Sequence, residues 1–244
     1  MCDPGTSDDF DLTILPCKKD EKKSRLRRPI HPLLPDANAG ACVILCAGVR
    51  AGKSNYGLNL LMNSNMYKDA FSDVYIFSST INQDETMKKL REAYPSTSYD
   101  HYSDARLQKI LTYQQSFPAD EMPPIAIYID DVLNIKPKSL FFTISCSFRH
   151  YGISLLVYSV QALKLLSPCV RTCATNVFIG TNSGQQLKNC AVEWGEHVGG
   201  EDQFLQLHKK CVQKRFEFMY MRLDKYPCAV HRNFDLDPVY EDDV

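Results

Sequence analysis

The sequence predicts an α/β fold with a mainly parallel central sheet flanked by helices. Three observations carry that expectation. Short, continuously apolar runs recur along the chain instead of the alternation of a half-exposed sheet, and strands buried on both faces read this way. Segments of helical length separate the runs, which calls for right-handed βαβ crossovers. Two of the runs end in polar motifs, Gly52-Lys53-Ser54 and Asp130-Asp131, at the strand ends where open α/β sheets place their ligands.

Taken in order, residues 1–38 read as a flexible basic arm. Pro29, Pro32 and Pro35 break any helix there, and Lys18 to Arg28 is strongly basic. Such a run suits phosphate contact, a nuclear-import address or a solvated arm. One domain over 39–236 follows. Its first strand is expected over 41–47 and its first helix from Lys53 to about Asn63, with Tyr56, Leu60 and Leu61 apolar. A second strand covers 74–77 and ends in the turn Ser78-Ser79-Thr80. Helices are expected over 84–93 and 103–115. Pro123-Pro124 introduce the strand 125–130, and two more strands cover 154–159 and 176–180. Gly199-Gly200 precede a helix over 201–213. Residues 215–222 then alternate like an edge strand, and 237–244 form an acidic tail. No internal repeat is visible.

Composition narrows the class. The 244 residues are 44% hydrophobic and 23% charged, ordinary for a soluble domain with a real core. A net charge of −1 provides no global field for nucleic acid, so any DNA contact must come from a local basic patch. The ten cysteines contain no C-x-x-C pair, and no His stands at zinc-finger spacing from Cys42 and Cys46 or from Cys169 and Cys173. They read as small buried hydrophobes in a reducing compartment rather than as metal ligands. Residues 1–30 are too polar for a signal peptide, and no segment reaches the roughly 20 apolar residues of a membrane span.

The first polar motif reads as a phosphate-binding loop. Ala47, Gly48, Val49, Arg50, Ala51, Gly52, Lys53 and Ser54 follow an apolar strand and open a helix, close to the pattern G-x-x-x-x-G-K-[ST]. Backbone N–H groups of such a loop turn inward around phosphate oxygens, and the helix N-terminus adds partial positive charge. Lys53 would reach the β/γ-phosphates and Ser54 would offer its hydroxyl to Mg2+. Ala47 stands where the pattern has its first glycine. The second motif, Asp130-Asp131, suits a magnesium acid followed by a residue that orients or deprotonates an attacking water. Two acids after a strand also suit a solvated turn.

The third constellation is Phe148-Arg149-His150-Tyr151-Gly152-Ile153 leading into a strand that closes on Gln161. Arg149 and Gln161 are expected to share the ligand edge of the sheet. With the two motifs above, in this order, the chain resembles the genome-packaging ATPases of the FtsK–HerA class, in the branch found in poxviruses, other large DNA viruses and virophages. Ser167-Pro168-Cys169-Val170-Arg171 and Arg232-Asn233-Phe234 also look like that branch, and the resemblance covers roughly residues 41–235.

The resemblance implies a P-loop NTPase with a RecA-like sheet. Lys53 and Ser54 would bind ATP and Mg2+, with Asp130 as the magnesium acid and Asp131 as the catalytic acid. Gln161 would sense the γ-phosphate. Arg149 would be an arginine finger reaching a neighbour's nucleotide in a homo-oligomeric ring, with Arg171 as its rival. Asp131 is one methylene shorter than the Glu many relatives carry. The implied activity is ATP hydrolysis that moves viral double-stranded DNA into a capsid, with capsid proteins as further partners. The expected setting is the host cytoplasm or nucleus at virus assembly sites, or the virion. Two other readings stay open at this point: a nucleoside or polynucleotide kinase, and a nucleotide-gated assembly factor that is not a motor. His150 and Trp194 carry no role beyond packing.

Overall fold

The computed structural model describes residues 25–132, 135–136 and 138–241. Its strands are β1 (Ala41–Cys46), β2 (Asp73–Ser78), β3 (Ser98–Tyr99), β4 (Ile125–Asp130), β5 (Ile153–Val160), β6 (Asn176–Ile179), β7 (Met219–Arg222), β8 (Ala229–Arg232) and β9 (Tyr240–Glu241). Its α-helices are α1 (Lys53–Met62), α2 (Glu85–Ala93), α3 (Asp104–Gln114), α4 (Leu140–Ser147), α5 (Pro168–Thr172), α6 (Gly184–Trp194) and α7 (Glu201–Cys211). The strands form one sheet in the order β3-β2-β4-β5-β1-β6-β7-β8-β9. Strands β1 to β6 pair in parallel, and β7, β8 and β9 continue the sheet antiparallel. The α/β fold with its mostly parallel sheet is therefore the one the apolar runs predict.

Both faces of the sheet are buried, which is why its strands read as unbroken apolar runs. Successive side chains alternate between faces. Ile44, Phe77, Ile127 and Leu156 pack into one core with α3, α4, α5, α6 and α7, and Trp194 lies buried there. Val43, Leu45, Ile76, Tyr128 and Val157 pack into the other with α1 and α2.

Three expectations are corrected. The segment from residue 25 is not a loose arm: Leu26, Leu33, Leu34 and Ala37 are buried in the α1/α2 core. Its carbonyls are taken up from outside, Leu33 O by the Tyr220 hydroxyl at 3.0 Å and Pro35 O by the Tyr67 hydroxyl. Prolines forbid a helix but not an irregular segment whose leucines fill a groove. Arg28, within the basic run, donates to Lys68 O at 2.6 Å; the rest of that run, up to Ser24, lies outside the described residues. Second, the strand read over 215–222 begins at Met219 and is interior, flanked by β6 and β8. Alternation in sequence reports burial and not position in the sheet. Third, Tyr240–Glu241, inside the expected acidic tail, pairs with β8.

The topology sets up the site. Strand β5 lies between β1 and β4, with Cys46 opposite Val160 and Ser159 opposite Asp130. The segments after β1, β4 and β5 therefore emerge side by side. Helix α1 rests close on the sheet because Gly57 faces the Tyr128 ring; a Cβ there would run into the phenol group.

Candidate nucleotide site

The loop after β1 turns through residues 47–52 into α1. Two of its residues adopt left-handed backbone, Arg50 at φ 58° and Gly52 at φ 97°. Gly52 is required twice over, since a Cβ would also come 2.8 Å from the Phe216 ring. Ala47 is not among the positive-φ residues, so the missing first glycine costs the loop no backbone strain. Gly48 N–H donates to Thr181 O at 2.9 Å, which ties the loop to the end of β6.

Helix α1 ends in an unusual way. The N-termini of α2, α4, α5 and α6 are capped by side chains of Asp84, Ser139, Ser167 and Ser183, and those of α3 and α7 carry acids in the first turn. Among the described α-helices, α1 alone has neither. Its unpaired N–H groups and the positive end of its dipole stand open to an anion.

Lys53 lies at that end, and its side chain is buried. Its Nζ donates to Ala47 O at 3.0 Å and Gly48 O at 3.3 Å, and sits 3.8 Å from Asp131 Oδ2. Gln161, directly after β5, donates from Nε2 to the same Oδ2 at 3.0 Å. Asp131 adopts a left-handed backbone at φ 44°, which short polar residues tolerate, and its N–H donates to Ser159 O at 2.9 Å. The kink ends strand alternation, so two adjacent carboxyls share one end of the sheet. Asp130, the last residue of β4, accepts from Ser78 Oγ at 3.1 Å. Burial pushes its carboxyl up to about 6, the Asp131 charge adding to the effect and Ser159, Ser78 and Lys53 opposing it.

The set suits a hard divalent cation. Asp130 Oδ1 and Asp131 Oδ1 are buried without a protein partner, an arrangement that is costly unless something else coordinates them. Carboxylate oxygens, and a hydroxyl such as that of Ser54 beside Lys53 in the first turn of α1, are the kind of donors Mg2+ takes.

Arg149 departs from expectation. It sits in the 3-10 turn Phe148–Tyr151 ahead of β5, beside Gly40 at the start of β1. Eight residues of β5 separate it from Gln161, about 26 Å at 3.3 Å per residue. Residues that flank an extended strand lie at opposite ends of it, so Arg149 and Gln161 cannot share one edge. Within its own chain Arg149 is remote from Lys53. Arg171, on α5, is engaged by Glu193 of α6 in a half-buried ion pair. His150 is exposed and makes no contact with this cluster.

Sequence reasoning missed three residues. Ser78 was read only as a turn. Arg215 donates to Arg50 O at 3.1 Å, and Phe216, exposed and at φ 75°, lies against Gly52. An aromatic residue at positive φ is strained backbone, and strain of this kind clusters at ligand sites. Nothing local in the sequence marks it.

No protein-family model and no curated protein sequence matches the chain. Solved structures do. B204, the DNA-packaging ATPase of Sulfolobus turreted icosahedral virus, superposes with a TM-score of 0.53 at 17% identity, over 78% of this chain and 95% of that one. The chain shares the fold of B204. The B204 genome-packaging NTPase from Sulfolobus turreted icosahedral virus 2 gives 0.52 in its sulfate complex, at 14% identity over 83% and 98% of the two chains. Its complex with AMPPCP gives 0.51 at 16% identity, over 79% and 97%. The shared fold spans nearly the whole length of these structures.

Proposed function

We propose that the chain is an ATP hydrolase that moves viral double-stranded DNA into a capsid. The observation that carries the reading is the meeting of Lys53, Asp131 and Gln161, from three separate segments, beside the α1 N-terminus, which among the described α-helices alone has neither a side-chain cap nor an acid in its first turn. The same fold belongs to the DNA-packaging ATPase B204 of Sulfolobus turreted icosahedral virus and to the genome-packaging NTPase B204 of Sulfolobus turreted icosahedral virus 2, which binds AMPPCP, and this supports the assignment.

In this reading the α1 N-terminus and the loop amides cradle the triphosphate, and Lys53 leaves the loop carbonyls for the β/γ-phosphates. Ser54 and Asp130 would hold Mg2+, which supplies charge neutralisation at the phosphate oxygens. Asp131 orients the attacking water through its unpartnered Oδ1 and accepts its proton. Gln161 fixes Asp131 through Oδ2 and is placed to register whether the γ-phosphate is present. Hydrolysis is then in-line displacement in which positioning and electrostatics supply most of the rate. Phe216, beside the loop, offers an exposed ring for the base to stack on. Arg149, excluded from its own site by distance, acts on the nucleotide of a neighbour in a homo-oligomeric ring. Capsid proteins are the further partners, and host assembly sites or the virion are the setting.

Phosphate release measured against protein concentration, with and without duplex DNA, tests the reading. A packaging motor should be stimulated by duplex DNA and gain specific activity as rings assemble, and Lys53→Ala should abolish both. Stimulation by nucleosides instead of DNA would mark a kinase. Tight ATP binding with negligible turnover under all conditions would mark an assembly factor.

A further inference from the structure

Five of the eight cysteines among the described residues, Cys42, Cys46, Cys190, Cys211 and Cys228, are buried small hydrophobes, as the sequence suggests. The other three are not. Cys146 is exposed, and Cys169 and Cys173 are half-exposed. The first lies in the last turn of α4, the second in α5, and the third at its C-cap. Spaced i, i+4, Cys169 and Cys173 stand on one side of α5, and the packing of α4 against α5 brings Cys146 to them. Cys146 Sγ is 2.9 Å from Cys169 Sγ and 3.5 Å from Cys173 Sγ, and all three sulfurs lie within 4.8 Å of one another.

We propose that Cys146, Cys169 and Cys173 form a binding site for a thiophilic divalent metal ion of the zinc type. Three thiolates at about 2.3 Å from a tetrahedral zinc ion stand about 3.8 Å apart. The separations of 2.9 and 3.5 Å fall within 1 Å below that spacing and none exceeds 4.8 Å, so ligation asks for side-chain adjustments rather than backbone movement. A site of three protein ligands keeps a fourth position for water or an exogenous group, and the exposure of Cys146 provides the path of entry. A disulfide would use two of these sulfurs and leave the third unexplained; a metal ion uses all three. Each thiol gives up its proton to solvent as its sulfur–metal bond forms, so uptake strengthens with rising pH. Without metal the thiols share hydrogen bonds, and the contact with Cys146 holds the Cys169 thiol above its ordinary range.

The site stands apart from the phosphate loop and does not rest on the ATPase reading. Its consequence for the fold is local: the ion ties the end of α4 to α5. Arg149 follows Cys146 by three residues, and Arg171 lies between Cys169 and Cys173. Both arginines considered as fingers thus belong to the two segments the metal joins.

The test is titration of the reduced full chain with Co2+, read by the sulfur-to-cobalt charge-transfer absorption. The band should saturate at one equivalent per chain, disappear on addition of Zn2+, and be lost in Cys146→Ser and in Cys173→Ser. Cys228→Ala, at a cysteine outside the cluster, should keep it. Circular dichroism of each variant separates loss of ligand from loss of fold, and Zn2+ should raise the melting temperature of the parent chain and the control variant but not of the two cluster variants. Absence of the band in the parent, or its survival in both cluster variants, overturns the proposal. So does an intact mass two hydrogens light, assigned to a Cys146–Cys169 bridge, in protein that takes up no metal after reduction.

Discussion

Gln161 Nε2 donates to Asp131 Oδ2 at 3.0 Å, joining the segment after β5 to the segment after β4. The bond exists because β5 is inserted between the strand of the phosphate loop and the strand of the acids. It leaves Asp131 with one oxygen engaged by Gln161 and Lys53 and the other free of protein partners. A carboxylate held this way is oriented and still able to take a proton.

The first prediction separates the two acids and the glutamine. Asp131→Asn should retain ATP binding and lose turnover by about 10²–10⁴, the range of a positioned general base. Gln161→Ala should keep binding and lose less, because Lys53 still contacts Asp131. Gln161→Glu should lose more than Gln161→Ala, since it sets a like charge beside Asp131. Single-turnover phosphate release alongside nucleotide affinity distinguishes these outcomes, and equal loss of affinity in all three variants would contradict the division.

The second concerns pH. Asp130 titrates at about 6 in the folded chain against an ordinary 3.8, so the folded state binds the proton more tightly than the unfolded one. The associated stability is fully present below about pH 4 and is lost as pH rises through 6, a change of about 3 kcal/mol at most. Urea unfolding without nucleotide or metal should show this decline in the parent chain. In Asp130→Asn it should be largely absent, and an unaltered pH profile in that variant would show that the burial of Asp130 has no such cost.

The third concerns the seat of α1. Gly57→Ala drives a methyl group into the Tyr128 ring, two residues before Asp130 on the same strand. Overpacking of this kind costs about 1–3 kcal/mol. Thermal unfolding should register the loss despite the better helix propensity of alanine. Gly57→Ala combined with Tyr128→Phe should recover part of it, because the phenol oxygen is one of the atoms met.

The fourth tests Arg149 across a subunit boundary. Arg149→Ala should nearly silence turnover and leave nucleotide affinity intact, since an arginine finger is worth about 10³–10⁵ in rate. Mixed with Lys53→Ala chains, which keep the arginine but lack a working site, Arg149→Ala chains should regain activity. No recovery at any ratio, with co-assembly demonstrated, would remove Arg149 from catalysis. Arg171, held by Glu193, would have to break that ion pair to replace it.

The fifth addresses Phe216. Its ring is exposed beside Gly52 on strained backbone. Phe216→Ala should weaken nucleotide affinity, by about 1–3 kcal/mol if the ring stacks on the base, while Phe216→Trp should preserve it. Affinity for tripolyphosphate, which has no base, should be the same in all three proteins.

Much of this molecule is written locally. The apolar runs of β1, β2, β4, β5 and β6 declare strands because both faces of the sheet are covered, and the residues that follow β1 and β4 declare their chemistry by type and spacing. Helices α4 and α6 were not legible. Leu140-Phe141-Phe142 opens α4 as an apolar run with no helical stripe, and α6 begins on Gly184, which reads as a breaker. Strand β8, Ala229-Val230-His231-Arg232, was missed because two apolar residues followed by two basic ones make neither a continuous apolar run nor an alternation.

What the sequence determined by itself is the α/β class, the loop that joins β1 to α1 and the acid pair at the end of β4, each fixed by neighbours within a few residues. What only the tertiary structure decided is which distant residues meet. Strand order brings Gln161 to Asp131 and takes Arg149 to the far end of β5, and helix packing gathers Cys146 with Cys169 and Cys173. Phe216 reaches Gly52 by the same means. Periodicity reports which way a side chain faces, whereas these meetings depend on strand order and helix docking, which balance the whole core at once.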